Sequence, residues 1–92
     1  VIRSFRCRQT RRLFETGQSR QFSAILSVAE RKLAQLNAAE TLDFLRSPPG
    51  NRLEALKGDR EGQYSIRINN QFRLCFRWTS EGPEDVEIVD YH

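Results

Sequence analysis

The sequence predicts an α+β fold, N-terminal helices packed on an antiparallel sheet with a short N-terminal edge strand, from three observations. Phe22, Ile25, Leu26, Ala29, Leu33 and Leu36 recur at helical spacing and form one apolar stripe. Beyond Gly62 the period changes to two: Tyr64, Ile66 and Ile68 alternate with Ser65 and Arg67, and Phe72, Leu74, Phe76 and Trp78 alternate with Arg73, Cys75 and Arg77. Between these regimes stands Ser47-Pro48-Pro49-Gly50, which neither a helix interior nor a central strand accepts.

Taken in order, Ile2 and Phe5 in a polar setting open an edge strand. Thr10 to Thr16 reads as a first helix ended by Gly17, a residue suited to the left-handed terminating position. Ser19 is placed to cap a second helix that carries the stripe and ends at Asn37. Ala39 to Leu45 supports a short helical turn before the proline loop, which divides the domain without making a second one. The two alternating runs form a hairpin. A two-residue loop at Asn69-Asn70 would put Ile66 opposite Arg73 and mix apolar and charged residues on one face, whereas pairing Ile68 with Phe72 does not. The expected loop is therefore Asn69-Asn70-Gln71, with an asparagine in the left-handed region and a local bulge. Glu81-Gly82-Pro83 marks a further turn, and Val86 to Tyr91 a last strand.

The chain of 92 residues is expected to form a single domain, 1–92, with room for one core and only a shallow site. Hydrophobic residues at 38% and charged residues at 29% suit a folded soluble chain, which excludes disorder. No apolar run approaches the roughly 20 residues of a membrane span, and the charged start lacks a secretory apolar region, so a cytoplasmic location and no membrane partner are expected. Cys7, Cys75 and the lone His92 lack zinc spacing or a disulfide framework; reduced thiols, no metal and no cofactor are expected. Basic residues concentrate in residues 1–46 and are nearly all arginine, whose guanidinium grips phosphate in bidentate fashion and stacks on bases. That bias favours a nucleic-acid partner, although solvated helix faces account for many such arginines.

Two stretches carry chemistry-bearing residues. Leu56-Lys57-Gly58-Asp59-Arg60-Glu61-Gly62 lacks the glycines and Ser/Thr of a phosphate loop and reads equally as a charged turn. Asp90-Tyr91-His92 gathers an acid, a phenol and an imidazole, and reads equally as a strand end. Strand alternation places Asp90 and His92 on one face, and Arg73 projects from the polar side of the neighbouring hairpin strand. An acid, an imidazole and a guanidinium are what cleavage of an RNA phosphodiester uses.

Lys57-Gly58-Asp59-Arg60-Glu61-Gly62, the Ser65-Ile66 strand, Phe72-Arg73-Leu74 and Asp90-Tyr91-His92 together resemble the HigB-type toxins of the RelE/ParE superfamily. The likeness extends to Ile2-Arg3-Ser4-Phe5 and Leu13-Phe14-Glu15, and so covers nearly the whole chain. Some of these toxins carry His-Pro-Leu-Lys-Gly where this chain has Glu54-Ala55-Leu56-Lys57-Gly58; Glu54 can accept a proton or orient Lys57 but supplies no cation. The resemblance implies a RelE-like fold and a type II toxin, a metal-independent endoribonuclease that cleaves mRNA on the ribosome and is held by a HigA-like helix-turn-helix antitoxin. It assigns acid/base work to Asp90 and His92, charge stabilisation to Lys57 and Arg73, nucleotide stacking to Tyr91 and a supporting place to Glu54. Arg6, Arg8, Arg11 and Arg12 are the arginines expected to meet RNA of the ribosome or, equally, the antitoxin. Two rivals share this sequence: a non-catalytic ParE-like toxin that inhibits gyrase, and a plain RNA-binding module.

Overall fold

The computed structural model describes residues 1–90; the expected roles of Tyr91 and His92 lie outside the described residues. Helix α1 spans Arg8–Thr16 and ends where Gly17, at φ +73°, donates its N–H to the Leu13 carbonyl at 2.8 Å. Helix α2 spans Leu26–Ala38. The sheet consists of β1 (Glu54–Ala55), β2 (Tyr64–Arg67), β3 (Phe72–Thr79) and β4 (Gly82–Asp90), antiparallel and in that order. One face meets the helices: Ile66, Leu74, Phe76, Val86 and Ile88 pack with Leu13, Phe22, Ala29, Leu33 and Leu36 in one core. Each fully buried side chain of this size contributes about 1.5–3 kcal/mol, so this face holds the fold together.

The edge strand expected at the N-terminus is a single parallel bridge, Phe5 to Val86. Arg3 and Arg6 donate backbone N–H groups to the carbonyls of Pro83 and Val86, and Val86 donates to that of Ser4. Farther along β4, the buried Thr10 hydroxyl of α1 accepts the Ile88 N–H at 3.0 Å. The outer edge of β4 is thereby covered by side chain and backbone instead of being left open to another chain.

The helix start differs from expectation. The Ser19 hydroxyl accepts the Phe22 N–H at 3.0 Å and so caps a turn; a 3₁₀ turn at Ser23–Ile25 follows, and α2 begins only at Leu26. Phe22 is buried edge-to-face on Phe72, centroids 5.9 Å apart, and this anchoring takes the segment out of the helix it would otherwise prolong. A 3₁₀ turn at Leu42–Arg46, capped by the Thr41 hydroxyl, occupies the expected helical turn.

In the hairpin, Ile66 faces Leu74, Arg67 faces Arg73, and Ile68 donates its N–H to the Phe72 carbonyl at 3.0 Å, so the loop is Asn69-Asn70-Gln71. The left-handed asparagine is not found. Asn69 Oδ1 instead accepts the N–H groups of Gln71 and Phe72 at 2.8 and 2.7 Å, a side-chain mimic of a backbone turn that needs no positive φ. The irregularity sits elsewhere: the β3–β4 register shifts between Cys75 and Arg77, where Asp85 takes φ +52° and its N–H is received by the Ser4 hydroxyl. Strand β4 also begins earlier than expected, at Gly82, because Pro83 needs no N–H to pair with Trp78 while its carbonyl serves Arg3. The two-residue β1 was not anticipated.

Candidate active face of the sheet

The face of the sheet opposite the helices carries Glu54 on β1, Ser65 and Arg67 on β2, Arg73, Cys75 and Arg77 on β3, and Glu87 on β4. These positions alternate with the core residues, so strand geometry alone makes this side polar. The backbone pair Leu56–Gln63 extends the β1–β2 ladder, and Lys57 to Gly62 is the connecting loop, with a 3₁₀ turn at Gly58–Arg60.

Arg73 is the most constrained cation here, its side chain only 13% exposed. Its Nε donates to Ser65 Oγ at 2.7 Å, and its Nη2 donates to the Arg52 carbonyl at 2.7 Å and the Ser65 carbonyl at 3.4 Å. Glu54 Oε1 lies 3.6 Å from Nε, with the Glu54 side chain 52% exposed. The two come from β1 and β3 and meet across β2, because Glu54 lies directly opposite Ser65 and Arg73 diagonally from it. A carboxylate with an exposed edge beside a pre-aimed guanidinium can take a proton while the cation holds an oxyanion. Arg60 forms a second pair, 2.8 Å from Glu87, and also donates to Gln63; Arg6 lies 3.9 Å from Glu87. Cys75 is buried between these pairs. Burial pushes its thiol from an ordinary 9.0 to about 11, Arg60 and Arg73 opposing and Glu87 and Glu54 adding, so at neutral pH it is protonated and not a nucleophile.

The expected set is therefore brought together only in part. Glu54 and Arg73 meet. Lys57 is exposed at the loop start, with no side-chain partner among the described residues. Asp90 faces Phe72 across the ladder, in phase with Val86 and Ile88, which places it on the helix side rather than beside Arg73. Its Oδ2 accepts the Gln71 side-chain N–H at 3.0 Å. Asp90 and Arg73, expected to act in one site, thus lie in opposite phases of the sheet, and the phase was legible in the alternation from Val86 onward. The four N-terminal arginines also divide. Arg6 reaches the polar face, whereas Arg8, Arg11 and Arg12 line a separate groove of about 1050 Å³ between α1 and residues 18–21, with Arg20 as a further cation. Arg11 stacks over Phe5 at 5.7 Å. Sequence reasoning missed Glu87 and the Arg52 carbonyl and gave no role to Arg60 and Ser65, which it quoted only within motifs; the strand phase of Ser65 and Glu87 was a signal for those two.

Comparison with known proteins agrees with this architecture. The chain is 50% identical over 56 residues to "Toxin HigB-1" of Vibrio cholerae, a stretch covering 61% of this chain and 59% of that protein. It is 30% identical over 94 residues to "Endoribonuclease HigB" of Proteus vulgaris, covering 100% of both. Its fold superposes on a chain of the YoeB–YefM complex of Staphylococcus aureus with a TM-score of 0.62 at 18% identity, covering 100% of this chain and 98% of that one. The family model for the RelE-like toxin of type II toxin–antitoxin system HigB matches residues 3–92, and the chain belongs to that family.

Proposed function

We propose that the protein is an endoribonuclease that cuts mRNA on the ribosome, and that the polar sheet face is where it does so. The observation that carries this reading is the Arg73–Glu54 pair, held across β2 from β3 and β1 and open on one side. The ribose 2′-oxygen attacks the adjacent phosphorus, the bond to the 5′-oxygen breaks, and a 2′,3′-cyclic phosphate and a 5′-hydroxyl result. DNA lacks that nucleophile. Arg73 and Lys57 hold the negative charge that develops on the phosphoryl oxygens. Glu54 is the carboxylate beside Arg73 and takes the 2′ proton; this gives it a larger part than the supporting one implied by resemblance. The resemblance assigns proton transfer to Asp90 and His92 and stacking to Tyr91; with Asp90 on the helix side, the resemblance leaves His92 to return a proton to the leaving 5′-oxygen.

A shallow face on so small a protein does not by itself hold RNA in line, and the ribosome supplies that constraint. Arg8, Arg11, Arg12 and Arg20 offer phosphate contacts to ribosomal RNA beyond the cutting face. The match to a toxin–antitoxin family supports a cognate antitoxin partner; its HigA-like helix-turn-helix type and a cytoplasmic setting are part of the proposal. The test is to map transcript 5′ ends in cells after a brief pulse of expression, alongside Arg73→Ala. New 5′ ends within translated regions that vanish in the variant support the reading. Intact transcripts with damaged DNA would favour the gyrase-inhibiting alternative.

A further inference from the structure

We propose that Asn51 is a positioning residue for Arg73, acting through the carbonyl of Arg52; the inference rests on the role given to Arg73 above. Asn51 is fully buried, although it lies in a loop and is polar. Its Nδ2 donates to the carbonyls of Leu45 and Ser47 at 3.1 and 3.4 Å and to Gln35 Oε1 at 3.1 Å. Its Oδ1 accepts from Lys32 Nζ, and its backbone N–H donates to the Pro48 carbonyl. One side chain thus ties α2 to the Leu42–Arg46 turn and to the proline loop. A buried amide so fully satisfied specifies one arrangement, since shifting the loop leaves several polar groups unpaired.

The next residue, Arg52, takes φ +46°, a conformation that costs a side-chain-bearing residue about 1–2 kcal/mol. That turn lets the Arg52 carbonyl accept Arg73 Nη2 at 2.7 Å. With Nε on Ser65 and Nη2 on Arg52, two of the three guanidinium nitrogens are anchored, and Nη1 is the one without a partner among the described residues. Nη1 is then the donor presented to a phosphoryl oxygen, and the loop determines its direction.

The experiment follows the Arg73 guanidinium by ¹⁵N NMR, assigned by its loss in Arg73→Lys, in the wild type and in Asn51→Ala, Gln35→Ala and Arg52→Gly. Rotation about the Cζ–Nη2 bond should be slow in the wild type and in Arg52→Gly, whose carbonyl remains and whose glycine tolerates the positive φ. It should quicken at least about tenfold in Asn51→Ala, and turnover of mRNA on programmed ribosomes should fall about 10- to 100-fold with KM nearly unchanged. Gln35→Ala, which removes one Asn51 partner and preserves the core, should shift both readouts in the same direction and serves if Asn51→Ala does not fold. Unchanged Arg73 rotation in a folded Asn51 or Gln35 variant overturns the positioning role. Faster rotation with undiminished cutting leaves the positioning intact and overturns the placing of Arg73 at the phosphate.

Discussion

At the scale of single residues, the proposed chemistry turns on a guanidinium that another cation should not replace. Lysine at position 73 keeps the charge but has no second nitrogen to satisfy the Arg52 carbonyl and Ser65 together. Arg73→Lys and Arg73→Ala should therefore both lose at least about 100-fold in ribosome-bound cutting, with little change in melting temperature for the lysine variant. Glu54→Gln removes the proton acceptor and keeps the shape; it should lose about 10²- to 10⁴-fold, more than Asp90→Asn, since Asp90 lies in phase with Ile88 on the other side of the sheet. Single-turnover cleavage of the three proteins measures the order directly. A loss confined to Asp90→Asn would reverse the assignment of the base.

Among the elements, the contact between α1 and β4 depends on one hydroxyl. Thr10→Val preserves volume but leaves the Ile88 N–H buried without an acceptor, and should destabilise by about 1–3 kcal/mol in urea unfolding. Amide exchange at Ile88 should accelerate more than at Leu74, which pairs on both sides within the sheet. Gly82 is a second such point: at φ +129°, an added Cβ would stand 2.4 Å from the Val1 carbonyl oxygen. Alanine there should detach the N-terminal segment from β4 before it disturbs the hairpin, a loss visible as faster exchange of the Arg3 and Arg6 amides.

For the whole molecule, stability should fall in alkali. The Cys75 thiol ionises near 9.0 in the unfolded chain and near 11 in the folded one, so its contribution is complete below pH 9 and is lost as pH rises to about 11. The amount is on the order of 2 kcal/mol. Lys32 is pushed the other way, chiefly by burial and then by Arg31 and Arg67, and its contribution rises with pH. Comparing the wild type with Cys75→Ala cancels that term: the difference in unfolding free energy should be constant to pH 9 and shrink above it. A constant difference to pH 11 would mean that the thiol is as acidic folded as unfolded. Because the proposed active face is open, purified protein should leave free mRNA nearly intact and cut it once threaded through a ribosome; equal cutting of naked RNA would contradict the need for a second body.

Much of the fold was legible because its signals are local. The stripe from Phe22 to Leu36 and the alternation from Tyr64 to Trp78 depend on side-chain periods, and the Ile68–Phe72 register follows from refusing to mix faces. Gly17 ends α1 by its own backbone freedom. The polar face proposed as the active one was legible only in its members Arg73 and Glu54, and their meeting was not. That meeting requires a two-residue strand, too short to show a period, to be carried onto β2 by a loop of glycines and charges. The bulge at Asp85, the late start of α2 and the hold of Asn51 on the proline loop before Arg52 are likewise decided by distant partners, Ser4, Phe72, Lys32 and Gln35. Side-chain periods alone were enough to assign the long helix, the hairpin strands and their apolar faces, since burying that surface is favourable in any arrangement that keeps the phase. Tertiary structure decided which polar groups share a site, because hydrogen bonds and ion pairs depend on ångström-scale placement that only the closed fold provides.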